Sequence, residues 1–204
     1  TGRAATTALL LCAHGTRGLA GAVSEHVAAL ASAGDFSEVA ACALYGEPRL
    51  EAVLDALTAE RVRLVPFMMA EGYTLDTLRR RVAAHPAAGR VEIARAVGAH
   101  PGLTAVIAAK ARAACESKGW QASETALLLV GHGTTRHAAS TATARAHAER
   151  LRAQGAFADV ASAFLDDVPD VAQAVASLSA PRVVAVGFFT DAGDHGREDV
   201  PALL

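Results

Sequence analysis

The segment TALLLCAHGTRG at 7–18 recurs as TALLLVGHGTTR at 125–136, so one unit occurs twice in the chain. His14 and His132 correspond at an offset of 118. Further on, ALYGEPRLEAVLDAL faces AFLDDVPDVAQAVASL with Pro48 opposite Pro169. Next, VRLVPFMMAEGYT at 62–74 faces VVAVGFFTDAGDH at 183–195, with Gly72 opposite Gly193 at an offset of 121. Three matches in the same order are the mark of internal duplication. They divide the chain into an N-terminal lobe, 1–118, and a C-terminal lobe, 119–204, with CESKGWQASE at 115–124 as the linker.

Within each copy, short apolar runs alternate with longer helical stretches, the pattern of a parallel sheet flanked by helices. Strands are expected at 7–13, 38–45, 61–67, 90–96, 124–131, 159–165 and 181–189, and helices at 19–33, 48–60, 75–84, 101–117, 137–154 and 168–179. The fold class is therefore α/β, with two duplicated flavodoxin-like lobes. The second copy stops nine residues after His195, so its lobe is expected to be incomplete, either trimmed or a reduced three-strand unit.

Composition excludes several alternatives. A formal net charge of -2 argues against a nucleic-acid binder, which carries a basic excess. No apolar run approaches the ~18–20 residues of a membrane span, and ALLLCA is shorter than a signal core of ~7–15 residues. Three irregularly spaced cysteines, Cys12, Cys42 and Cys115, make no disulfide framework and point to a reducing, cytoplasmic setting. Cys12 and Cys42 lie in apolar strand-like runs and are expected to be buried thiols.

Chemistry is expected at the carboxyl ends of the strands, where loops and helix N-termini converge. His14 and His132 each follow the first strand of a lobe in an HGT turn. His195 follows the third strand of the second lobe, in TDAGDHGRED. First and third strands are neighbours in a flavodoxin-like sheet, so His132 and His195 converge, and two imidazoles suit Co, Fe, Ni or Zn. The position facing His195 in the first copy is Thr74, so His14 lacks a second imidazole. Asp166, at the end of the second strand, is placed to add a carboxylate, although a solvated loop aspartate fits the spacing as well. The HGT turns also read as simple strand-to-helix connections. Among other histidines, His85 and His100 precede proline and mark element boundaries, His26 and His147 are expected on helix surfaces, and His137 opens a helix near the mouth.

The motifs HGTRG, HGTTR, PFMMAEGYT, VGAHP and GDHGREDVP resemble those of the class II chelatases, the CbiX and sirohydrochlorin chelatase group, over essentially the whole chain. The resemblance implies a lyase-type, ATP-independent chelatase. Such an enzyme inserts a divalent ion, Co²⁺ or Fe²⁺ with Ni²⁺ as a further candidate, into sirohydrochlorin or a related tetrapyrrole, in cobalamin or siroheme biosynthesis. It implies that His132 and His195 hold the metal and take protons, with Asp166 as acidic helper. Substrate contacts fall to His14, Arg17, Glu71, Tyr73, Arg136 and Arg197. The metal is a substrate and no nucleotide is called for; nucleic acid and membrane are not expected partners, and the chain is a monomer or a homodimer. Two rivals remain. One is a non-catalytic tetrapyrrole or metal carrier of the same fold, and the other is an anion-binding module using the HGT turns, which lacks a P-loop or GxGxxG match.

Overall fold

The computed structural model describes residues 6–15, 19, 21–135 and 139–190. In the first sheet, β1 (Thr7–Ala13), β2 (Glu38–Ala43), β3 (Arg61–Phe67) and β4 (Val91–Ile93) are all parallel, in the order β2-β1-β3-β4. The second sheet comprises β5 (Ala126–Gly131), β6 (Asp159–Phe164) and β7 (Val183–Phe188), parallel in the order β6-β5-β7. Both have the first strand of the copy in the middle, as the duplication requires. Among the described residues the second sheet has three strands.

Helices α1 (Gly21–Ala33), α2 (Leu50–Ala56), α3 (Tyr73–Ala83), α4 (Leu103–Ser117), α5 (Ala139–Gln154) and α6 (Val171–Ala176) connect the strands. The offset between copies grows from 118 to 121 because α5 has 16 residues and α1 has 13. Expected helices at 48–60 and 168–179 shrink to α2 and α6. Arg49 stands at the N-cap of α2 without a side-chain cap, whereas Asp170 at the N-cap of α6 forms a reciprocal capping box with Gln173. The expected strand at 90–96 is cut to three residues, since the chain enters a 3₁₀ turn at Val97–Ala99.

Strand alternation builds the core. On β1, Ala8, Leu10 and Cys12 join Leu50 and Leu54 of α2 and Leu75, Leu78 and Val82 of α3. Leu9, Leu11 and Ala13 face the other way and pack with Val23, Val27 and Leu30 of α1. One strand buried on both faces reads as a continuous apolar run, which is why TALLLCA carries no polar alternation. The three cysteines are free and buried, and Cys12 sits beside Cys42 in the β1–β2 register. A hydrogen bond with Cys12 and burial both push the Cys42 thiol up, so it stays protonated and inert.

The chain separates into two compact units, Thr1–Val97 and Gly98–Leu204. The sequence repeat instead sets the boundary after residue 118, at the end of α4. The difference has a packing cause: α4 buries Thr104, Ile107, Ala108, Ala111 and Cys115 along one stripe and packs against β7 and α5. It thus belongs by sequence to the first copy and by contact to the second unit.

His147, expected at a helix surface, is fully buried. Its Nε2–H donates to the Gly98 carbonyl at 2.7 Å, leaving Nδ1 to accept from the Thr104 hydroxyl at 2.7 Å, and its ring lies 5.4 Å from that of Phe188. Ala142, Ala144, Ala146 and Ala148 place small residues on more than one face of α5 and gave no sign of this. Burial lowers the His147 pKa below its ordinary 6.5, so the ring is neutral in the native state and titrates higher when unfolded. Its contribution to stability is therefore complete above pH ~6.5 and is lost as pH falls through the lowered native value. Unfolding free energy measured by urea is expected to drop between pH 7.5 and pH 5.5, and to drop less in His147→Gln. His147→Ala is expected to cost about 2–4 kcal/mol, since it opens a cavity and orphans two buried partners.

Candidate functional site

The two copies build the same loop frame at the carboxyl ends of their strands. In the first, Leu44 N–H donates to Ala13 O at 2.8 Å, Tyr45 N–H to His14 O at 3.0 Å, and Ala43 N–H to Pro48 O at 2.8 Å. In the second, Leu165 N–H donates to Gly131 O at 3.1 Å, Asp166 N–H to His132 O at 2.9 Å, and Phe164 N–H to Pro169 O at 3.0 Å. Pro48 and Pro169 both follow cis peptide bonds. After each histidine a glycine takes a positive φ, +77° at Gly15 and +71° at Gly133. A Cβ at Gly15 would lie 2.3 Å from the Ala43 Cβ, so the turn closes onto β2 only with glycine there.

On this shared frame the side chains differ. In the second unit His132 Nδ1 lies 3.2 Å from Asp166 Oδ2 and 3.1 Å from the Gly133 carbonyl. Both neighbours are acceptors, so the neutral ring carries its proton on Nδ1 and its lone pair on Nε2. Both side chains are more than half exposed, as an incoming ligand requires. The supporting loop is anchored twice: Arg145 donates to Val168 O at 2.7 Å and stacks 5.1 Å from the Phe164 ring centroid. Ser140, in the first turn of α5, accepts from Thr134 N–H and donates to Thr134 O, both at 3.0 Å.

In the first unit the residue facing Asp166 is Tyr45, whose ring packs 4.9 Å from that of His14. Here burial lowers the imidazole pKa, and the position that holds a carboxylate in the second copy holds a tyrosine. Glu71 is half-buried in the loop before α3, Tyr73 is the first residue of α3 with 65% exposure, and Thr74 follows it. The aspartate expected at the second-lobe mouth thus meets its histidine directly. Tyr45 was missed, although the offset of 121 pointed to it. His195, Arg17, Arg136, His137 and Arg197 lie outside the described residues. Among the described residues no cluster of three or more His, Cys, Asp or Glu forms a metal site, and no helix is long and apolar enough to cross a membrane.

Two matched segments decide the family: the CbiX profile covers residues 8–114 and 126–204. The chain belongs to the CbiX family, the class II chelatases. A Halobacterium salinarum protein named probable sirohydrochlorin cobaltochelatase is 25% identical over 95% of this chain and 75% of its own length. The solved structure of CbiX, described as the terminal enzyme for biosynthesis of siroheme in denitrifying bacteria, superposes with a TM-score of 0.71. It is 27% identical, over 96% of this chain and 85% of that one. A multi-domain protein of Deinococcus radiodurans, described as structurally similar to chelatases with two additional domains, gives a TM-score of 0.82 at 26% identity. This CbiX-family chain spans 98% of its own length in that match and about half of the Deinococcus protein, 48%.

Proposed function

We propose that this CbiX-family chain catalyses insertion of a divalent metal ion into a carboxylate-bearing tetrapyrrole, with sirohydrochlorin as substrate and Co²⁺ or Fe²⁺ as the ion. The observation that carries the reading is the His132–Asp166 pair at the carboxyl end of the second sheet, within a chain of this family. Cobalt is supported by the name of the Halobacterium relative and iron by the siroheme role of the solved CbiX.

The reaction exchanges two pyrrole N–H protons for one M²⁺. With its proton on Nδ1, His132 has Nε2 to offer first to the metal and then to a pyrrole proton. Asp166 fixes the tautomer and compensates positive charge on the ring as it accepts that proton, the role of a carboxylate behind a metal-binding histidine. His195 is proposed as the second imidazole of the pair. The chemistry needs no nucleotide. An anaerobic absorbance assay of purified chain with excess sirohydrochlorin and Co²⁺ or Fe²⁺, without ATP, tests it. Many turnovers per chain are expected; stoichiometric binding without turnover establishes the carrier reading instead.

A further inference from the structure

The tetrapyrrole must be held as well as metallated, and the first unit carries features that the metal step leaves unused. Among the described residues four large hydrophobic side chains are exposed: Tyr45, Tyr73, Val106 and Val168. Three of them sit at carboxyl ends of sheets, and two of those three are the only tyrosines in the chain. Tyr45 follows β2 and Tyr73 opens α3 after β3, while His14 follows β1, which runs between β2 and β3. The order across this edge is therefore Tyr45, His14, Tyr73. Exposed aromatic rings at one edge of a domain otherwise poor in aromatics are a stacking surface for a flat conjugated ligand.

A cavity of about 520 Å³ opens beside this edge, lined by Leu44, Tyr45, Glu47, Arg49, Glu51 and Arg81. Its two guanidinium groups differ. Arg81 is tied to both carboxylate oxygens of Glu51 and to the Leu44 carbonyl, and it holds the Glu51 carboxyl below the usual range. It is a wall that fixes the backbone just before Tyr45. Arg49 pairs at 3.0 Å with Glu47, and both side chains are more than 70% exposed. Such a surface pair is weak, so a ligand carboxylate can take the place of Glu47.

We propose that the carboxyl edge of the first unit is the tetrapyrrole-holding surface, with the rings of Tyr45 and Tyr73 stacking on the conjugated macrocycle and Arg49 binding one of its peripheral carboxylates. This rests on the chelatase reading, and it gives the first copy a different task from the second: Tyr45 stands where Asp166 stands, and Thr74 where His195 stands, because this copy grips a ring instead of an ion.

The test is titration of metal-free sirohydrochlorin with the full chain, followed by its absorbance band, for wild type, Tyr45→Ala, Tyr45→Phe, Tyr73→Ala and Arg49→Ala. Each tyrosine-to-alanine change is expected to raise Kd by roughly threefold to tenfold, and Tyr45→Phe, which keeps the ring, to restore wild-type affinity. Arg49→Ala is expected to weaken binding at low salt and to match wild type at 1 M salt, where screening is nearly complete, to about 3 Å. Melting temperatures should be unchanged, since all three side chains are exposed. Unchanged affinity in both tyrosine variants, with wild type binding, overturns this inference and leaves metal insertion standing. Failure of wild type to bind sirohydrochlorin overturns both.

Discussion

His132→Ala is expected to slow metal insertion by about two to four orders of magnitude at neutral pH, the range removed when a positioned proton acceptor is lost. The side chain is exposed and its backbone bond to Asp166 N–H uses only the carbonyl, so the fold should survive the change. Asp166→Asn tests the orienting role separately. An amide oxygen can still accept from Nδ1, but the negative charge behind the ring is gone, and a loss of about tenfold to a hundredfold is expected. His14→Ala supplies the contrast between the copies. Its ring faces Tyr45, at the position that holds a carboxylate in the second copy, so the change should raise the KM for tetrapyrrole and leave kcat within a few-fold. Steady-state rates with Co²⁺ and sirohydrochlorin decide the matter. A His132→Ala chain that turns over like wild type would remove the second-unit mouth as the metal-handling site.

The asymmetry between the mouths also shows what could be read from residue order. The repeat of TALLLCAHGT as TALLLVGHGT placed β1 and β5 correctly and put a histidine at each end, because a buried central strand leaves a uniform apolar run that periodicity cannot miss. Asp166 was legible for a similar reason: it follows β6, and neighbouring parallel strands deliver their ends side by side. Tyr45 was legible only through the repeat: an aromatic beside a glycine reads as an ordinary loop residue until the offset of 121 sets it opposite Asp166. The seat of α4 was hidden for a different reason. Its stripe of Ile107, Ala108, Ala111 and Cys115 requires a surface to cover, but an amphipathic pattern does not name which sheet supplies it. His147 lay beyond sequence reasoning because its burial depends on Gly98 and Thr104, more than forty residues earlier.

Gly133→Ala should be strongly damaging to the second-unit mouth, although the residue carries no functional group. The position has φ +71°, which costs an L-residue about 1–2 kcal/mol on its own. In addition, the new methyl would lie 2.9 Å from the Cβ of both Phe164 and Asp167. Phe164 cannot retreat, being 1% exposed and covered by Arg145. The turn after β5 must therefore lift away from the loop after β6, and the Asp166 N–H to His132 O bond and the 3.2 Å side-chain contact open together. We expect a loss of about 2–4 kcal/mol in stability, from backbone strain and overpacking together. Metal insertion should fall about a hundredfold, as a shift near 1 Å in a catalytic group does. Gly155→Ala provides the control, because it has φ +63° in the same unit but nothing within 4 Å of the added methyl. That variant should pay the backbone cost alone and keep full activity. Urea unfolding and turnover measured side by side separate the two. If Gly133→Ala proves as stable and as active as Gly155→Ala, the turn does not hold His132 and Asp166 in register.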